Sequence, residues 1–291
     1  MRSLPDRLFR DAHEVDAVEP LQRAAVMTPD EQERYLEFAA QAAAAAGSAI
    51  LPHFRAIIPV EDKRNFMGYD PVTVADHAAE ESIRTAIKRR YPEHGIHGEE
   101  HGREAGTSPL TWVIDPIDGT KSFILGQLHW ATLIALHDGT APVVGVAHQP
   151  FVGESFLGTS GGIAQWRRGD ERRTLRTRPC ARIEDAIVVT TDPRQFVSPA
   201  EQAALETVTG RARFLRYGGD CYCYTQLAMG FVDVVIENGL QPYDVQALMP
   251  IIVAAGGVIT DWSGGPCDQG GSVLASGDPV LHERLLRRLG G

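Results

Sequence analysis

Several classes of protein are excluded by what this 291-residue chain lacks. No apolar run approaches the roughly 20 residues that a membrane-crossing helix needs. The opening MRSLPDRLFRDAHEVD carries charges too early for a signal peptide, so a cytoplasmic location is the expectation. Cysteine is scarce: Cys180, Cys221, Cys223 and Cys267 form no paired CxxC spacing, which leaves free thiols in a reducing compartment rather than a zinc knuckle. Positive charge is in short supply, 28 Lys and Arg against 38 Asp and Glu. The resulting net charge of −10 disfavours nucleic acid and anionic membrane surfaces as partners. No GxGxxG follows a strand pattern, so a dinucleotide site is not expected. Internal repeats are absent, and the one low-complexity stretch is Ala42–Ala46.

What is present suits an ordinary globular chain, with 43% hydrophobic and 23% charged residues. The length suffices for one large domain or two sharing a core. Residues 1–27 show no clean periodicity and read as a dispensable extension, or as an artefact of start-site choice at Met27. Thr28-Pro29-Asp30-Glu31 is a capping box with proline at the first helical position. The alanine-rich run to about Phe54 is the helix it starts. A second helix is expected over Ala75–Arg90, closed by Tyr91-Pro92. Thr111–Asp115 reads as a short strand entering a loop, followed by two strands around a turn at His137–Pro142. Another strand pair flanks Gly161-Gly162, and Pro179 to Ile183 reads as a boundary. Beyond it the pattern predicts a strand at AIVVT, a helix from Glu201, a helix over Cys221–Met229, the strand FVDVVIE, a helix over Val245–Ala255, and the strand GVITD. The halves are thus 28–180, mixing helices with antiparallel strands, and 181–291, where strands and helices alternate. That order suggests stacked α and β layers.

An acidic chain repels anionic substrates unless it holds cations, so clustered carboxylates become the features to examine. Asp115-Pro116-Ile117-Asp118-Gly119-Thr120 places two of them three apart at the end of an apolar strand. Proline restricts the loop, glycine admits close approach of a ligand, and the amides from Gly119 to Lys121 open what reads as a short helix. Carboxylates for hard cations beside amides for an anion are the parts that phosphate hydrolysis requires. Glu99 and Glu100 after a turn, Asp76 before a helix, and Asp244 at a helix start can join them. Taken singly, Asp76 and Asp244 are helix caps, and Glu99-Glu100 is solvated charge. Their joint occurrence favours a site.

The ordered set PVTVAD, GEE, DPIDGT and PYDVQAL…AAGG, over roughly residues 50 to 265, resembles the signature of the inositol-monophosphatase superfamily. The resemblance implies a five-layered αβαβα sandwich, two or three Mg²⁺ ions, a small phosphate ester as substrate, and a homodimer. It also implies Glu99, Asp115, the Ile117 carbonyl, Asp118 and Asp244 as metal ligands. Thr120, Asp76 and Glu99 match the groups acting on the attacking water, and the Gly119 and Thr120 amides match phosphate contacts.

Within that superfamily, Lys121-Ser122-Phe123-Ile124-Leu125-Gly126 and Tyr217-Gly218-Gly219-Asp220-Cys221-Tyr222 resemble the histidinol-phosphatase branch. GFVDVVIENGLQPYD does too, while Leu125 departs from the threonine or serine usual there. Histidinol phosphate carries an ammonium group, for which Asp220 and Glu237 offer negative charge. Asp220 is equally a cap for the helix after it. Inositol 1-phosphate, a broader set of monophosphates, and a silent binding homologue are the alternatives. An aspartyl-nucleophile DxDx[TV] motif does not fit the longer D-P-I-D spacing, and an EF-hand would need an acid where Gly126 stands. His94, His97 and His101 beside Glu99 have the residue types of a zinc site, but Gly95 and Gly98 deny them helical spacing. They read as a polar loop near the metal site. Lys121 fits either a phosphate contact or the surface.

Overall fold

A computed structural model describes residues 27–63 and 71–290, so the expectation for residues 1–26 lies outside the described residues. In chain order the elements are α1 (Pro29–Ile50), β1 (Val60–Asp62), β2 (Pro71–Thr73), α2 (Val74–Arg90), β3 (Gly95–Gly98), β4 (Gly102–Glu104), β5 (Thr111–Asp118) and α3 (Thr120–Ile124). Then come β6 (Ala131–His137), β7 (Pro142–Gln149), β8 (Glu154–Thr159), β9 (Ala164–Arg168) and β10 (Glu171–Thr174). The remainder is β11 (Ile187–Thr190), α4 (Pro199–Thr209), β12 (Phe214–Tyr217), α5 (Asp220–Ala228), β13 (Val234–Leu240), α6 (Pro242–Val245), α7 (Leu248–Ala254), β14 (Val258–Thr260), β15 (Gly271–Ser276) and α8 (Pro279–Leu289).

Two large sheets organise these elements. One has eight strands in the order β10-β9-β8-β7-β6-β5-β3-β4, the other five in the order β12-β11-β13-β15-β14. Three apolar clusters separate five layers. Leu36, Ala39, Ala43 and Ile83 of α1 and α2 pack on Trp112, Ile114 and Val146 of the first sheet. Leu227 of α5 and Leu248, Ile251 and Ile252 of α7 fill the space between the sheets, against Leu133 on one side and Val235 on the other. Val208 of α4 with Leu281 and Leu285 of α8 covers the outer face of the second sheet through Val188 and Ile236. Each fully buried large side chain contributes about 1.5–3 kcal/mol. The expected αβαβα sandwich is therefore the observed fold. The middle layer lies unusually close: a Cβ at Gly145 or Gly158 would overlap the backbone of Ala247 or Ile251.

Several boundaries differ from the sequence-based expectations. The α1 helix has the capping box at Thr28 and Glu31, but it ends at Ile50, and a 3-10 turn with Pro52 carries the chain to His53. The α2 helix begins at Val74, so Asp76 lies in its first turn rather than before it, completing a capping box with Thr73. The single helix expected over Val245–Ala255 is broken at Gln246 and Ala247. Pro250 has no N–H to donate to the Gln246 carbonyl, so the ladder is interrupted there. No helix among the described residues is long and apolar enough to cross a membrane.

Candidate active site

The strand expected to stop at Asp115 runs on through Asp118. Its pairing with β6 shifts register there: Asp115 lies opposite Leu133 and Asp118 opposite Ala131, so one strand carries an extra residue. In a regular strand, residues three apart point to opposite faces. The bulge undoes that alternation and turns both carboxylates to one side. Pro116 sits within it, and its carbonyl accepts from Thr132 Oγ1 at 2.8 Å. Asp115 accepts from the Ile117 N–H at 3.0 Å, and Thr120 Oγ1 donates to the Ile117 carbonyl at 3.0 Å. Gly119 takes φ +88°, and a Cβ there would overlap the His129 carbonyl, so the turn into α3 requires glycine.

Three further elements bring acids to the same place. Asp244 stands in the first turn of α6, accepting from the Gln241 N–H at 2.7 Å. Ligand-type oxygens of Asp115, Asp118 and Asp244 all lie within 4.8 Å of one another. Glu99 follows β3, with its N–H on the Ile114 carbonyl at 3.1 Å, and its side chain pairs with Lys63 Nζ at 2.9 Å. Asp76, fully buried, accepts from the Thr73 N–H and Oγ1 through Oδ2, leaving Oδ1 without a partner. It is close enough to Glu99 and Asp115 to perturb both electrostatically. A cavity of about 190 Å³ is lined by Glu99, Asp115, Ile117, Asp118, Gly119, Thr120 and Asp244, and on its other side by Asp220, Glu237 and Lys121. Of the carboxylates selected from the sequence, Asp76 and Glu100 are not in the lining, Glu100 pairing instead with Lys63 Nζ at 2.9 Å.

The electrostatics show what this arrangement needs. Burial first, and neighbouring carboxylates second, push Asp115 and Asp244 well above the usual carboxylate range. Burial, then Asp220, raises Asp118 to about 7, opposed by the N–H that Cys221 donates to it at 2.9 Å. Burial works against the Lys63 ammonium, yet Glu99 and Glu100 hold its pKa above its usual value. Acids crowded in this way are strained as anions, and a divalent cation relieves that strain. The donor set is oxygen throughout, which suits Mg²⁺, Mn²⁺ or Ca²⁺ rather than a thiophilic metal. The residues therefore fit a hard dication.

The opposite side of the cavity is built differently. Asp220 opens α5 with φ +45°, a left-handed value uncommon outside glycine. It does not cap the helix: its carboxylate accepts from Ser122 Oγ at 2.7 Å. Glu237, at the inner edge of β13, accepts through Oε1 from the Thr191 N–H at 2.7 Å and Thr191 Oγ1 at 2.8 Å. Its Oε2 is buried with no partner, and burial raises its pKa to about 8.

The histidine cluster does not converge. His94 Nδ1 accepts from Trp112 Nε1 at 3.1 Å and its ring stacks on Tyr91, in the core. His97 lies in β3 beside the Tyr243 ring, and His101 packs against His77. Neither a zinc site nor one polar loop results, because β3 and the turn after it send the three rings to different neighbours. Lys121 lines the cavity mouth while remaining exposed.

One central residue escaped the sequence reading. Glu80 of α2 is fully buried and accepts from the N–H groups of Glu100 (2.7 Å) and His101 (3.2 Å) and from Arg84 Nε (2.7 Å). It pins the turn that presents Glu99, and a Cβ at Gly98 would overlap its carboxylate. Its sequence signal was Glu80 on the same helical face as Asp76 and Ala79, where a charged residue should not lie unless paired.

The inositol monophosphatase family profile matches residues 31–290, and the chain belongs to that family. A chloroplastic bifunctional phosphatase of Arabidopsis thaliana is 38% identical over 274 residues, covering 90% of this chain and 77% of its own length. A histidinol-phosphatase of Chlorobaculum parvum is 32% identical over 265 residues, covering 91% and 98%. Among solved structures, an inositol monophosphatase from Zymomonas mobilis superposes with a TM-score of 0.78 at 34% identity, covering 89% and 98%. The protein is thus a phosphatase of this family, acting on a small phosphate ester.

Proposed function

We propose that the chain is a Mg²⁺-dependent histidinol-phosphate phosphatase. The observation that carries this reading is the pair of carboxylates opposite the metal-type cluster. Asp220 and Glu237 line the cavity, and Glu237 Oε2 has no partner within the described residues. A leaving group bearing an ammonium or a ring N–H supplies what that oxygen lacks, and a buried carboxylate left unsatisfied is costly. The name of the Chlorobaculum parvum relative supports the same substrate.

In this reading Glu99, Asp115, the Ile117 carbonyl, Asp118 and Asp244 hold two or three Mg²⁺ ions. Bound there, the metal lowers the pKa of water and stabilises charge on the phosphoryl and leaving oxygens. Thr120 Oγ1, oriented by donating its own proton to the Ile117 carbonyl, accepts a hydrogen bond from the attacking water and aims it at phosphorus. Glu99, with Asp76 behind it, takes the proton away. The Gly119 and Thr120 amides hold the phosphoryl oxygens, and Asp220 and Glu237 orient the amine of the leaving group. The phosphoryl group passes directly to water as the P–O bond to the leaving oxygen breaks, and that oxygen takes up a proton from solvent to leave as the alcohol, with no covalent enzyme intermediate.

The test is phosphate release with Mg²⁺ from L-histidinol phosphate and from myo-inositol 1-phosphate, side by side. The expected result is a higher kcat/KM for histidinol phosphate; preference for the inositol ester, or equal low rates, overturns the substrate assignment. A second reading, inositol-phosphate hydrolysis, is favoured by the Zymomonas mobilis likeness, and Glu237 Oε2 is also a good acceptor for a ring hydroxyl.

A further inference from the structure

The strand that carries Glu237 repeats the device seen at Asp115 and Asp118. Its pairing with β15 sets Glu237 opposite Val273 and Leu240 opposite Gly271, so β13 carries an extra residue between them. That residue cancels the strand alternation, and both side chains line the catalytic cavity. Thr191 and Gln195 line it too, and Leu240 gives this wall an apolar patch.

Gln195 is held firmly by its backbone and loosely by its side chain. It ends a 3-10 turn, Pro193–Gln195, capped by Asp192, whose Oδ1 accepts from the Arg194 N–H at 3.0 Å. The next residue, Phe196, is buried and stacks on Trp262 with ring centroids 5.7 Å apart. Asn238, beside Glu237, donates from Nδ2 to the Gln195 carbonyl at 3.2 Å. The side-chain Oε1 is buried and enclosed, whereas Nε2 stays open and makes no hydrogen bond among the described residues. A ligand in the cavity can therefore reach only the donor half of this amide.

We infer that Gln195 reads the ring of the leaving group, its Nε2–H donating to the unprotonated nitrogen of an imidazole whose face lies on Leu240. The inference rests on the histidinol-phosphate reading and adds a specificity-determining residue to it. Asp220 and Glu237 answer positive charge, and an amine without a ring would meet them equally well. A donor beside an apolar surface asks for something else, a flat ring with a lone pair at its edge. It also asks for the neutral ring, because imidazolium carries a hydrogen on both nitrogens and has nothing to accept with.

The measurement is kcat/KM for L-histidinol phosphate divided by that for glycerol phosphate, with Mg²⁺, from about pH 5.5 to about pH 8. Titration of the metal ligands and of phosphate acts on both esters and cancels in the ratio. The other titratable groups on this side are Asp220, Cys221 and Tyr224 of α5, Glu237 of β13, Lys121 of α3, and Asp192 and Arg194 of the turn. They are the same in every variant, so a change of slope between proteins isolates position 195. In the unaltered protein the ratio should fall as pH drops below about 6.5, the ordinary imidazole value. Gln195→Leu should lower the ratio about tenfold at about pH 8. Gln195→Glu puts an acceptor where the donor stood, so its ratio should rise toward acid pH instead. A structural role alone would lower both esters together and leave the slope in place, which overturns the inference. So does a ratio that climbs in the unaltered protein as imidazolium forms. Preference of the unaltered protein for myo-inositol 1-phosphate would overturn the histidinol-phosphate reading and this inference with it. Preference for histidinol phosphate, with both variants keeping the ratio and its slope, would overturn this inference alone.

Discussion

The two ends of the catalytic cavity hold acids in opposite circumstances. At one end Asp115, Asp118 and Asp244 crowd within 4.8 Å of one another, and most of their fixed donors are backbone N–H groups. At the other, Asp220 and Glu237 are each held by a hydroxyl, from Ser122 and Thr191. Crowded acids on a rigid backbone call for concentrated positive charge, a dication. Acids steered by hydroxyls suit a single ammonium or a polar hydrogen. In the proposed reading, chemistry and recognition are divided between the ends of one pocket, and each end should fail in its own manner.

The largest effect is expected at the crowded end. Asp115→Asn or Asp244→Asn should cut kcat/KM for every phosphate ester by about 10³-fold or more at saturating Mg²⁺, with unchanged circular dichroism. Near-normal turnover in either variant would break the division.

Glu80→Gln tests the support of that end. It removes the charge on which Glu100, His101 and Arg84 converge, and should cost about 1–3 kcal/mol of stability in chemical denaturation. Glu99 would be presented less firmly, so the KM for Mg²⁺ should rise about tenfold, more than kcat falls. A stability loss with an unaltered Mg²⁺ requirement would make Glu80 purely structural.

The crowding also predicts a pH effect in metal-free protein. Asp118 is raised from its ordinary 3.8 to about 7, and Glu237 from 4.5 to about 8. The folded state therefore holds protons that the unfolded chain releases, and stability falls as pH rises from about 4 to about 8. With a chelator, Tm should drop across that range, and added Mg²⁺ should restore more of it at about pH 8 than at about pH 5. A chelated protein whose Tm does not fall with pH would contradict it.

Smaller effects belong to the recognition end. Asp220→Asn should lower kcat/KM for histidinol phosphate about tenfold relative to glycerol phosphate; equal losses would show that Asp220 reads no charge. Ser122→Ala, which frees Asp220 without removing it, should cost only about 1 kcal/mol, again confined to the amine-bearing ester.

The metal-type end was far more legible in the sequence than the Asp220 and Glu237 end. Asp115 to Thr120 is contiguous, so one hexapeptide displays two carboxylates, a glycine at positive φ and a hydroxyl. What the hexapeptide did not display was the bulge, because the register shift is a property of the pairing with β6 rather than of β5. Ser122 and Thr191 were invisible as positioning residues, since their partners lie 98 and 46 positions away. Strands β12 and β15 went unread as well. The first carries exposed Phe214 and Tyr217, and the second lies between glycines, so neither alternates as a half-buried strand should. The α8 helix announced itself with Asp278 and Pro279, a start signal that the sequence reading passed over.

The first turn of α5 touches both ends at once. Asp220 gives its side chain to Ser122 and the substrate side, and the next residue, Cys221, gives its N–H to Asp118. In the proposed reading, substrate choice and metal geometry are thereby tied to adjacent peptide units. Exchanging the whole segment for one of another length would move the N–H that holds Asp118 along with the Asp220 carboxylate. A single substitution at position 220 leaves the neighbouring amide where it is. New substrates in this scaffold should therefore arise more readily by one side chain at a time than by wholesale loop replacement, a constraint on its evolution set by one hydrogen bond of 2.9 Å.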